Sequence, residues 1–295
     1  SVFAVMSLST ISGVPAPPRR AISGWTIARH AVLALFACVM LFPFVWVLLL
    51  SVKTVQDAQQ NEIWPRTFEF RQYEWAIQSF RTLPQNYLNS VIVTLGTIVV
   101  TVICAVLAGY VLVFLPSKGT AVVFAVLAAS MFFPTRITAI IAIFETQKRL
   151  GLLNVPAGLI FPYVSLGMAV SVFIMRGMFL TVSREIYDAA RLDGAGPTRL
   201  LVEILLPLVK NGIVVVIIVT FGTAWGEYVL SKTLNTREGT QTLPVVLTTG
   251  IGGMVAWNWA MLAAVYIMVI LPGFLAFAIA QRWYMKGLQE GALKV

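Results

Sequence analysis

The chain has 295 residues, of which 59% are hydrophobic and only 11% charged, with a formal net charge of +9. Soluble domains carry roughly a quarter charged residues, so this composition, with a mean hydropathy of +0.87, excludes a water-soluble globule and points to the bilayer. Cys38, Cys104 and the lone His30 exclude a disulfide framework, a zinc site and a His-based catalytic triad.

Residues 1–24 are rich in Ser, Pro and Ala and end near Pro17-Pro18-Arg19-Arg20, the composition of a flexible tail without a packed core. A bilayer core needs about 20 apolar residues per helix. Six segments meet that need, at 30–51, 88–114, 120–143, 157–180, 212–231 and 259–281. The first is longer than a signal-peptide core and no small-residue cleavage site follows it, so it is read as retained. The predicted fold class is therefore an all-α polytopic membrane protein with six transmembrane helices. Residues 25–295 form its one transmembrane domain.

Lys and Arg decide the orientation, because inner loops carry their excess. With the N-terminus inside, eleven cations fall on inner segments and eight on outer ones, and four of those eight share the long outer loop 52–87. Both termini are predicted to be cytoplasmic. The basic charge reflects this bias rather than nucleic-acid binding, since no basic-aromatic cluster occurs.

That outer loop contains Trp64-Pro65 and Trp75 and reads as a cap across the outer face. In the second span, Asn89-Ser90, Gly96 and Gly109 suit close helix packing in lipid. Pro134 interrupts the third span, and Arg136 beside it is a candidate for a water-lined cavity, pairing with Glu145 or an anionic solute. Arg176, near the inner end of the fourth span, is expected to snorkel to the headgroups.

Between the fourth and fifth spans lies Ser183 to Pro207, an amphipathic helical hairpin. Ser183 suits an N-cap and Gly194 a helix end. Ile186, Ala189 and Ala190 give the first helix a small apolar face. Pro197 suits the first position of the second helix, Leu200, Leu201, Ile204 and Leu205 supply its stripe, and Pro207 is expected to disrupt its continuation. In the fifth span, Trp225-Gly226-Glu227 with Tyr228 near the outer end reads either as interfacial anchoring or as cavity lining. A loop at 232–258, rich in glycine towards its end, precedes the sixth span.

The hairpin order Asp188-Ala189-Ala190, Gly194-Ala195 and Leu206-Pro207 resembles the cytoplasmic coupling loop of binding-protein-dependent ABC importer permeases. That loop reads Glu-Ala-Ala, with a Gly six residues after the acid and Leu-Pro ending thirteen residues after the Gly; both spacings occur here, with Asp188 in place of Glu. Met131-Phe132-Phe133-Pro134, Leu150-Gly151-Leu152, Gly158-Leu159-Ile160 and Trp225-Gly226-Glu227 are similar to segments of the carbohydrate-uptake, maltose-type permeases. The tail from Gly287 to Lys294 is similar too.

The resemblance implies an ABC type I importer permease fold and the role of the smaller permease subunit in an ATP-driven oligosaccharide importer. Its solutes would be malto-type or acidic, such as alginate oligosaccharides. It implies ATPase coupling through Asp188, Ala189, Ala190, Asp193, Gly194, Ala195 and Pro207. A loop meeting a periplasmic solute-binding protein would use Gly250, Gly252, Gly253, Met254, Trp257 and Asn258. Arg136, Trp225, Glu227 and Tyr228 would border the translocation path, and Gly287, Glu290 and Lys294 would reach the ATPases. The partners implied are a second permease subunit in a heterodimer, two ATPase subunits, the binding protein and bacterial inner-membrane lipid. No phosphate-binding loop of the GxxxxGK[ST] type occurs in the chain, so ATP and Mg2+ belong to partner subunits and the chain is a transport subunit, not an enzyme. The alternative is an ion-coupled secondary transporter of a small polar solute, which calls for midplane acids or broken helices in matched halves.

Overall fold

The computed structural model describes residues 24–60, 63–132, 139–252 and 258–292, with backbone alone for 249–252 and 280–292. The described residues are helical or in turns and loops, in thirteen helices: α1 Gly24–Ser51, α2 Val55–Gln59, α3 Arg71–Ser79, α4 Leu83–Phe114, α5 Lys118–Ser130, α6 Ile140–Arg149, α7 Ile160–Leu180, α8 Arg184–Leu192, α9 Pro197–Leu208, α10 Lys210–Trp225, α11 Val229–Leu234, α12 Leu243–Gly252 and α13 Trp259–Ala292. A short 3-10 turn, Pro156–Leu159, leads into α7.

Among the described residues, four helical stretches are long and apolar enough to cross a membrane: Gly24–Ser51, Leu83–Phe114, Pro156–Leu180 and Trp259–Ile279. The bent pair α9 and α10 makes up to five, and α5 is a shorter apolar helix. Six spans remain compatible with this architecture, but the fifth differs from the uniform helix that hydropathy suggests. In the region of the third, α5 ends at Ser130 and α6 begins at Ile140; Pro134 and Arg136 lie outside the described residues. The fifth stops at Trp225 and resumes in α11. Residues 1–23 of the expected tail 1–24, and Lys294, lie outside the described residues, and Gly24 begins α1.

The chain divides into two units, residues 1–46 and 47–295. In the first, the leading part of α1 presents Val32, Leu35, Phe36, Val39 and Phe42 exposed. In the second, α4 and α7 form the most extensive helix pair, and α10 packs on both. Small residues allow this. A Cβ on Gly109 would stand 3.0 Å from Met175 Cβ and 3.1 Å from the Arg176 amide nitrogen, so the α4 and α7 backbones nearly touch there. A Cβ on Gly212 would come within 2.4 Å of Met178 Cγ, which makes the α7–α10 contact equally tight.

Arg176 has an aromatic neighbour near the end of α7. Its guanidinium lies 4.5 Å over the Phe124 ring of α5, and Phe124 packs against Phe173 at 4.8 Å. A cation near the end of a span thus finds an aromatic face within the fold.

Candidate coupling site and far-end cavity

The hairpin is built by local hydrogen bonding that its sequence dictates. Ser183 Oγ accepts the Glu185 amide at 3.2 Å and starts α8. At the other end the Ala195 amide donates to the Ala190 carbonyl at 3.0 Å and the Gly194 amide to Arg191 at 3.1 Å. These two bonds are the Schellman closure, which requires a left-handed residue after the cap. Gly194 supplies it, with φ +80°. The closure folds Ala195 back beside Ala190, and both pack against the largest apolar cluster.

Pro197 opens α9, as its spacing predicts, and the Leu200 amide donates to Gly196 at 2.9 Å. Pro207 disrupts the regular helix without ending it at once. Residues Leu200–Leu205 widen into a π-helical turn, in which the Leu206 amide reaches back to Leu201, and the helix continues to Leu208. An extra residue in the turn relieves the proline ring's clash with the preceding carbonyls. The break falls instead at Val209, where α10 departs at 78°. Leu200, Leu201 and Leu205 are buried, so the expected stripe is the base that seats the hairpin. Arg199 and Glu203 pair at 2.9 Å on its exposed face, an arrangement worth little to stability.

The inner face of α8 differs from the one that periodicity suggests. Tyr187, 3% exposed, is its anchor: its ring stacks on Phe114 at the end of α4, with centroids 4.6 Å apart and planes 15° from parallel. Phe179 of α7 meets Phe114 edge-on at 6.1 Å and Tyr110 at 6.4 Å. Of the predicted apolar face, Ala190 turns inward, whereas Ile186 and Ala189 are exposed. The missed signal was the i, i+3 pair Tyr187 and Ala190, obscured because tyrosine counts as half polar. Outward stand Asp188, Ala189, Asp193, Gly194 and Leu192, the last 89% exposed.

At the far end, α10 terminates at Trp225 and Gly226, and Glu227 restarts the helix. Its carboxylate accepts the Leu230 amide at 3.0 Å through Oε1 and the Ser231 amide at 3.2 Å through Oε2. A carboxylate at a helix start satisfies free amides and complements the helix dipole. Glu227 and Tyr228 border a cavity of about 360 Å³ with Ile140, Leu166, Gly222 and Thr223. Trp225 faces elsewhere: its indole N–H donates to the Val269 carbonyl at 3.3 Å, and its ring stacks on Phe221 at 5.5 Å. Arg136 lies outside the described residues.

The segment expected as an outer loop at 232–258 is held by hydrogen bonds and helices over much of its described part. Asn86 Nδ2 donates to the Glu238 and Gln241 carbonyls at 2.7 and 2.8 Å. Asn89 Nδ2 donates to Gly239 at 2.9 Å, and Ser90 Oγ accepts the Leu243 amide at 2.8 Å. Asn154 Oδ1 accepts the Thr236 and Arg237 amides at 2.8 and 3.0 Å. Asn89 and Ser90, read as packing groups, thus join Asn86 in a cradle for the connection. Gly250 and Gly252 are helical, in α12, rather than in a free loop. Asn258 caps α13, accepting the Met261 amide at 3.0 Å, and its Nδ2 donates to Gln72 at 3.3 Å. Gly253, Met254 and Trp257 lie outside the described residues, and Gly287 and Glu290 lie on the backbone of α13.

Residues 98–286, which run from within α4 through the hairpin to the last helix, match the family of binding-protein-dependent transport system inner membrane components. The chain belongs to that family. It is 30% identical to a sulfoquinovosyl glycerol transport system permease of Agrobacterium fabrum, over 86% of this chain and 89% of the relative. It is 27% identical to a diacetylchitobiose uptake system permease of Streptomyces coelicolor, over 90% and 88%. A melibiose/raffinose/stachyose import permease of Bacillus subtilis is 29% identical over 88% and 94%. In fold it is similar to a chain of a bacterial ABC transporter involved in the import of the acidic polysaccharide alginate, with a TM-score of 0.78 and 22% identity over 90% of this chain and 98% of that one. The chain is thus an all-helical, multi-pass ABC importer permease, a transport component of the inner membrane.

Proposed function

We propose that this permease is the smaller of two related membrane subunits in an oligosaccharide importer and that its α8–α9 hairpin is the handle gripped by an ATPase subunit. One observation carries the proposal. The hairpin is fixed to α4 through Tyr187 and Phe114 on one face while Asp188, Ala189, Leu192, Asp193 and Gly194 stand free of the fold on the other. Motion of a groove holding that exposed knob would pass directly into the spans. ATP closes the ATPase pair, the hairpins follow, and the spans alternate between inward-open and outward-open. Both termini and the hairpin lie in the cytoplasm in this reading, in keeping with the distribution of Lys and Arg.

The solute class rests on the relatives, whose names specify glycosides and oligosaccharides. Tyr228, on the cavity wall, offers a ring and a hydroxyl suited to sugar stacking. The remaining assignments are part of the same proposal: Pro207 shapes the lever, the 250–258 region meets a periplasmic binding protein, and the Gly287–Lys294 tail approaches the ATPases, which hold ATP and Mg2+.

The decisive experiment is purification of the complex in mild detergent, with and without Leu192→Glu. The wild type brings an ATPase and a second permease with it, and the variant keeps the permease but loses the ATPase. An ion-coupled carrier would purify without an ATPase in both cases, and that result would sink the reading.

A further inference from the structure

We infer that residues 63–71 form an aromatic seat embedded in the phospholipid headgroup layer at the end of the bundle opposite the hairpin. Ile63, Trp64, Phe68 and Phe70 are each between 63% and 69% exposed, four large apolar side chains within eight residues. Such density on a water-facing surface is costly, and it calls for a cover.

The level of the segment identifies that cover. The Glu69 amide donates to the Val52 carbonyl at 2.8 Å, and Val52 directly follows the last residue of the Gly24–Ser51 span. Ser51 Oγ and Tyr73 Oη, 2.8 Å apart, hold the following helix to the same point. Further bonds fix the segment from its other side. The Arg66 amide donates to Asp57 Oδ2 at 3.3 Å, and its guanidinium stands 3.9 Å from Asp57 Oδ1. The backbone of 66–70 is thereby tied to the level at which that span ends.

The composition suits that height. Trp and other amphipathic rings collect at the boundary, and cationic stems place their charge among phosphates while their carbons stay in the apolar zone. Arg66 has a side chain 65% exposed. Arg71 lies with its guanidinium 5.3 Å over the Trp75 ring. Two cations on an aromatic rim complement lipid phosphate. The surface is continuous in kind with the bilayer-facing side of α4, where Leu88, Leu95 and Val99 are exposed. The seat would keep the cap formed by α2 and α3 at constant height while the spans rock, whichever partner moves the hairpin.

The test uses the assembled importer in nanodiscs and isolates the Trp64 signal as the difference between wild type and Trp64→Phe. Phosphatidylcholines brominated near the top of the acyl chain should quench that signal at least twofold more than chains brominated near the bilayer centre, with or without the solute-binding protein. Absence of quenching by both lipids would overturn the inference, because another protein would then cover the segment. Loss of quenching on adding the binding protein would overturn it too. A nitroxide at Thr67→Cys provides a second readout should Trp64→Phe assemble poorly: oxygen must reach it more readily than a water-soluble nickel chelate, and the reverse order would refute the seat.

Discussion

Tyr187 and Phe114 lie face to face, 4.6 Å apart, and so join the hairpin helix to the end of the longest fully described span. The stack is buried, and Phe179 supports it edge-on. It joins the hairpin that carries the exposed knob to the membrane bundle by direct side-chain contact. Removing the ring by Tyr187→Ala should lower thermal stability, since emptying a buried aromatic site costs about 3–5 kcal/mol in soluble cores. It should also reduce solute transported per ATP hydrolysed. Tyr187→Phe retains the stack and should transport normally. Equal coupling ratios in Tyr187→Ala and wild-type proteoliposomes would remove the joint from the mechanism.

Gly194 is required for its backbone and not for lack of space. Its φ is +80°, yet a Cβ there would meet nothing within 4 Å. A non-glycine residue in that conformation costs about 1–3 kcal/mol, and asparagine tolerates it better than β-branched residues do. Gly194→Val should insert and assemble with the second permease but lose ATP-driven uptake. Gly194→Asn should keep most of it. Uptake by Gly194→Val at the wild-type rate would count against a rigid hairpin.

Two glycines of α4 should respond differently to alanine. At Gly109 the added methyl meets Met175 Cβ and the backbone of Arg176, atoms that cannot rotate away. At Gly96 it meets the tip of Ile160, 2.5 Å from Cδ1, which can change rotamer. Overpacking costs about 1–3 kcal/mol, and the larger share belongs to Gly109→Ala. Thermal unfolding of the two variants in the same detergent checks the ranking.

Glu227 tests whether the break in the fifth span is held by its carboxylate. Glutamine keeps one acceptor but turns an N–H group towards the amides of Leu230 and Ser231. Glu227→Gln should therefore lower the maximal transport rate several-fold with little change in the KM for solute. A raised KM at an unchanged maximal rate would instead make Glu227 a solute contact.

Some of this protein was legible residue by residue. Apolar runs of span length fixed its class, and Ser183, Gly194 and Pro197 announced the hairpin because caps and left-handed turns depend on a few adjacent residues. The spacing from Asp188 to Gly194 to Pro207 carried the family resemblance for the same reason. Hydropathy overstated the continuity of the fifth span, since averaging over a window hides a break such as the one at Gly226. It also left the 232–258 connection as an outer loop, because the groups that order it, Asn86, Asn89, Ser90 and Asn154, lie far away in the chain.

What the sequence by itself determined is a membrane-embedded helical chain with a short polar-faced hairpin, because hydropathy, capping and turn chemistry are local. Only the tertiary structure decided which face of that hairpin is fixed and which is offered: Tyr187 turns inward because Phe114 and Phe179 form an aromatic slot there, and Leu192 is left outside. A helical period specifies that two faces exist. The partner surface that each one meets is set by contacts between residues distant in sequence, where close packing rewards one fit.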